Sequence, residues 1–64
     1  MIALVRENGH IVYVNPDLIE TAEREDDAAR TLVVLTTGNT LVVRDDGPAI
    51  ADKIVAFRRR YAAH

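Results

Sequence analysis

Two short turns, Asn8-Gly9 and Gly38-Asn39, each sit between β-branched runs, and they restrict this chain more than any other feature. Ile2 to Arg6 and Ile11 to Val14 flank the first turn, whose Asn-Gly dipeptide tolerates positive φ and is the strongest short hairpin signal. Thr31 to Thr36 and Thr40 to Arg44 flank the second, where Gly at the first central position suits a type II′ turn. Leu32 and Val34 alternate with Val33 and Leu35, and Leu41 and Val43 alternate with Val42, so both faces of these strands are apolar. That pattern predicts cover on both sides, and in so short a chain the second cover is expected to be another subunit.

Between the hairpins, Asn15-Pro16-Asp17-Leu18-Ile19-Glu20 reads as a structural corner. Pro16 cannot donate to a ladder and pushes Asn15 toward an extended conformation. Asp17 is expected to accept from nearby backbone amides, favouring one helical turn that swings Leu18 and Ile19 inward. Glu20 to Arg24 alternates weakly and predicts an edge strand, and Glu25 to Arg30, with no apolar anchor, predicts a solvated acidic loop. Asp45-Asp46-Gly47-Pro48 then reads as a helix start, with Pro preorganised for the first helical position and carboxylates near the positive end of the dipole. Ile50, Ile54, Phe57 and Tyr61 follow at helical spacing, with Val55 beside the stripe, and Arg58, Arg59 and Arg60 fall in the last turns where positive charge suits the dipole. The expected fold is mainly β with one C-terminal helix: an α+β domain spanning residues 1–64, with about five short strands in a small antiparallel sheet or partly open barrel.

A 64-residue chain without cysteine has no disulfide or thiolate metal site to reinforce a small core, so homo-oligomerisation is the expected remedy. The opening Met1-Ile2-Ala3-Leu4-Val5 meets charge at Arg6, too soon for a secretory signal, and no later apolar run approaches a membrane span, so a cytoplasmic location is expected. Residues 1–30 carry three Arg against seven Asp and Glu, whereas residues 31–64 carry five Lys and Arg against three Asp. The formal net charge of −2 repels phosphate backbones at long range and argues against general nucleic-acid binding.

The chemistry is sparse. There is no Ser and no Cys, and no Thr has a His placed by sequence to serve as its base, which removes the usual covalent nucleophiles. His10 beside a turn and His64 at the terminus read as surface residues, and the acidic run Glu20 to Asp27 lacks the glycine and closing Glu of a calcium loop. Gly9, Gly38 and Gly47 are isolated, unlike the glycines of phosphate loops. No catalytic residue, metal ligand or cofactor is expected. Lys53 with Arg58, Arg59 and Arg60 forms a basic helical stretch whose simplest role is dipole complementarity and solubility, and whose functional role is contact with a protein or an anionic lipid surface.

With those residues in view, the chain resembles the small bacterial flagellar FlbD/SwrD family of motility proteins. The resemblance runs through Met1-Ile2, Leu4, Arg6, Asn8-Gly9, Asn15, Asp17-Leu18-Ile19-Glu20 and Glu23, then Thr31, Leu35, Gly38 and Val42-Val43, with the helix matching only in apolar spacing. Ala22 replaces a larger aliphatic, the Pro-Asp-Thr turn before the second hairpin is missing, and the loop from Glu25 to Arg30 is about three residues longer than the family pattern. The resemblance implies a cytoplasmic, non-enzymatic protein supporting flagellar motility and, in swarming relatives, motor power, with the torque-generating stator as the candidate partner. The alternative is the carbon-storage regulator CsrA, an RNA-binding dimer that is similar in length, in strand and helix order and in an Arg before the helix, here Arg44. Its arginine-rich opening and Gly-Glu hairpin are replaced here by Leu4-Val5-Arg6-Glu7-Asn8-Gly9.

Overall fold

The computed structural model describes residues 1–25 and 29–62, with side chains through residue 60. The centre of the expected acidic loop, the side chain of Tyr61 and His64 lie outside the described residues. Five strands and a helix follow in order: β1 (Ile2–Val5), β2 (Ile11–Val14), a single 3-10 turn (Pro16–Leu18), β3 (Ile19–Arg24), β4 (Thr31–Leu35), β5 (Thr40–Val43) and α1 (Gly47–Ala62). The strands make two antiparallel sheets, β1-β2 and β3-β4-β5, rather than one sheet or a closed barrel. A bridge between Arg6 and Val43 joins them at one corner. Glu7 N donates to Val42 O at 3.3 Å and Arg44 N to Val5 O at 2.7 Å across the same corner.

Both hairpins form, but each turns through three residues, not two. Gly9 N donates to Arg6 O and Arg6 N to His10 O, both at 2.8 Å; in the second hairpin Gly38 N donates to Leu35 O and Leu35 N to Asn39 O, both at 2.9 Å. The loops are therefore Glu7-Asn8-Gly9 and Thr36-Thr37-Gly38, each closing on a glycine in left-handed backbone at φ +91° and +93°. This is a type I turn with a glycine bulge, not the two-residue turn expected at each site. The three-residue loop sets the register that places Ile2 opposite Val14 and Leu4 opposite Val12. A two-residue Asn8-Gly9 loop would slide the strands by one and set Leu4 against Tyr13, which is exposed.

The core is small and drawn from every layer: Ile2, Leu4, Val14, Val33, Val43 and Ile50 are buried, and Val12, Ile19, Leu35, Leu41, Ile54 and Phe57 pack against them. Of the expected helical stripe, Ile50, Ile54 and Phe57 face this core, whereas Val55 is 48% exposed. The alternate face of the second hairpin, Leu32, Val34 and Val42, is half-buried and lies outside that cluster. Strand β3 sits at the sheet edge, as expected of a weakly alternating run, with a register shift between Ile19 and Thr21.

Two local expectations change in detail. At the corner, the Asn15 side chain accepts from Asp17 N at 3.0 Å, so Asn15 and not Asp17 caps the turn. Pro16 is buried there and Ile19 reaches the core, but Leu18 is 37% exposed and is held by its backbone carbonyl, which accepts from Thr36 N at 2.7 Å. At the helix start, Gly47 is the first helical residue and Pro48 the second, while the Asp46 carboxylate accepts from Ala49 N at 2.8 Å.

Candidate interaction surface

A strand at a sheet edge leaves every second N–H and C=O unpaired, and these groups need partners wherever they are shielded from water. On β1 the partners are side chains. Asp45 Oδ1 accepts from Val5 N at 2.7 Å, and Lys53 Nζ donates to Ala3 O at 2.7 Å and to Asp45 Oδ2 at 2.7 Å. With Arg44 N on Val5 O, these two side chains stand where a neighbouring strand would be, and through Lys53 they tie the second turn of α1 to the sheet. The Asp45 side chain is only 9% exposed. Burial pushes its carboxyl up, but hydrogen bonds from Lys53 and Val5 N, with the Lys53 charge, outweigh that and hold it below its ordinary value.

Lys53 is thereby set apart from the three arginines with which it was grouped by sequence. Its ammonium is engaged within the fold, whereas Arg58, Arg59 and Arg60 are exposed on the last turns of α1. Arg58 lies 3.7 Å from the Asp17 carboxylate, and both side chains are more than 60% exposed, so the pair contributes little to stability.

A second charged group gathers at the first hairpin. Arg30 pairs with Glu7 at 2.9 Å and with Glu25 at 3.6 Å, and the hydrogen bond it donates to Glu7, then the charge of Glu25, raises its pKa. The Arg44 guanidinium donates to Glu7 O at 2.7 and 3.2 Å and lies 4.0 Å from where a Cβ on Gly9 would stand. Arg44, the Arg before the helix, is thus turned onto the hairpin backbone. Among the described residues, no group of three or more His, Asp or Glu converges as metal ligands would.

The residues that carried the family resemblance are corner-makers. Gly9 and Gly38 supply left-handed backbone, Asn8 accepts from His10 N at 3.0 Å, Asn15 caps the 3-10 turn, and Ile19 enters the core. Asp17 and Glu20 are exposed, as is Leu18 in part. The site residue that sequence reasoning missed is Asp45, because its partners on β1 are 40 positions away and no local pattern announces them.

A family model described as FlbD, flagellar and swarming motility proteins, matches residues 1–62. The chain belongs to the FlbD family. Comparison with curated proteins and with solved structures gives no match. A flagellar or swarming motility role therefore rests on the FlbD match, which spans both hairpins, the corner and nearly all of the helix. No helix among the described residues of this FlbD chain is long and apolar enough to cross a membrane.

Proposed function

We propose that this FlbD chain is a non-catalytic, cytoplasmic accessory of the flagellum that assembles with copies of itself and touches a motor or stator component through Arg58, Arg59 and Arg60. The observation that supports the contact is the run of three adjacent exposed arginines at the end of α1; Arg6 and Arg24 are also exposed but stand singly, at a turn and at the end of β3. Arg30, Arg44 and Lys53 bond to groups of the chain's own fold, while the end of α1 presents adjacent guanidiniums that have, among the described residues, one loose, solvent-screened partner. Exposed guanidiniums on a rigid helix suit carboxylates on a protein partner, because their planar donors pair bidentately. Replacing Arg58, Arg59 and Arg60 together by Glu tests this reading in a motile host. The expected result is reduced swimming speed and swarm spreading with an unchanged circular dichroism spectrum; full motility removes the helix end from the function.

A further inference from the structure

We propose that a second copy of this chain adds to β2, edge to edge and antiparallel, about a two-fold axis through Val12. The inference deepens the self-assembly reading above and rests on it. The four outer strand edges are treated differently. That of β5 is closed at the corner, where Val42 O accepts from Glu7 N and Val43 bridges Arg6. The far edge of β1 is occupied by Asp45, Lys53 and Arg44 N. The far edge of β3 carries Glu20, Glu23 and Arg24 and a register shift, all features that discourage strand addition. Strand β2, Ile11-Val12-Tyr13-Val14, has no charge, no proline and no register shift, and it pairs only with β1. Its Ile11 and Tyr13 side chains are 59% and 68% exposed.

The register follows from which backbone groups are free. Ala3 O, Val5 N and Val5 O point away from β2, because they bond to Lys53, Asp45 and Arg44. Residues directly opposite in an antiparallel ladder point their polar groups either toward each other or both away. Tyr13 and Ile11, opposite Ala3 and Val5, therefore direct their N–H and C=O outward. A two-fold at Val12 sets Ile11 of each copy against Tyr13 of the other. Each such pair exchanges both backbone hydrogen bonds, and an aliphatic β-branched side chain meets an aromatic one twice on the same face.

A cleft whose lining includes apolar Val12, Leu35 and Leu41 and polar Arg6 and Asn39 takes in Tyr13 of this strand.

The test combines sedimentation equilibrium with cross-linking. Wild-type protein is expected at twice the monomer mass. Ile11→Lys with Tyr13→Lys sets like charges against each other and should raise the dissociation midpoint at least about tenfold, whereas Ile11→Lys with Tyr13→Glu sets opposite charges together and should restore the dimer. In a chain with no cysteine, Val12→Cys should form an intermolecular disulfide under mild oxidation, and Glu23→Cys on the β3 edge should not. A wild-type oligomer that ignores both lysines and gives no Val12→Cys cross-link overturns the β2 edge while leaving self-assembly in place. A wild-type monomer overturns both.

Discussion

Removing the Asp45 carboxylate should show how much a pair of side chains contributes when it takes the place of a strand. Asp45→Ala leaves Val5 N without its acceptor in a part-buried position and frees the Lys53 ammonium. An unsatisfied, shielded N–H costs about 1–3 kcal/mol. The ion pair adds at most about 1 kcal/mol, because the Lys53 side chain is 39% exposed and solvent screens it. The expected loss is about 2–3 kcal/mol, a large share of the roughly 3–10 kcal/mol that a domain of this size has in total. Asp45→Asn keeps an oxygen for Val5 N and should lose only about 1 kcal/mol. Urea unfolding followed by circular dichroism, at one fixed protein concentration because assembly would add to stability, measures both. A loss under about 0.5 kcal/mol for Asp45→Ala, or equal losses for the two variants, would refute the reasoning.

The same pair predicts pH dependence. The Asp45 carboxyl is held below its ordinary value in the fold, so its contribution is fully present above the unfolded value near ~4 and is lost as pH falls through the lower, folded value. Lys53→Met should therefore cost less in acid than at neutral pH, since below both values the carboxyl is protonated with or without its cation; a penalty that does not change with pH would contradict this. Gly38→Ala should cost about 1–2 kcal/mol from backbone conformation alone, because φ is +93° and nothing lies within 4 Å of the added methyl. A melting temperature unchanged by that substitution would sink the turn assignment. Asn15→Ala should cost about 1 kcal/mol by removing the acceptor for Asp17 N, read as a lower urea midpoint at unchanged slope.

Much of the fold was legible because its determinants are local. The β-branched runs, the proline corner and the apolar spacing of α1 each announce an element within a few residues, and all appear where expected. Loop length was not legible from the Asn8-Gly9 dipeptide, since a positive-φ glycine serves a two-residue turn or a three-residue bulge equally well. The signal lay further out, in the demand that Ile2 and Leu4 face Val14 and Val12. Asp45 was hidden for a different reason. Beside Asp46 it reads as one more carboxylate at a helix start, and only the tertiary approach of β1 separates the two, giving Asp46 the helix amide and Asp45 the strand amide. The arginines were visible as a run, but their separation from Lys53 depends on which helix face meets the sheet.

The corner where Arg6 meets Val43 bears on the speed of folding. Each hairpin closes on neighbours in sequence and forms within about 1–10 μs on its own. Joining the two requires residues 37 positions apart to find each other before the shared core of Ile2, Leu4, Val14, Val33 and Val43 can close. Loop closure over that span precedes any reward in contacts, so docking of the two halves is expected to be slower than closure of either hairpin, and stopped-flow refolding slower than about 10 μs would be its signature.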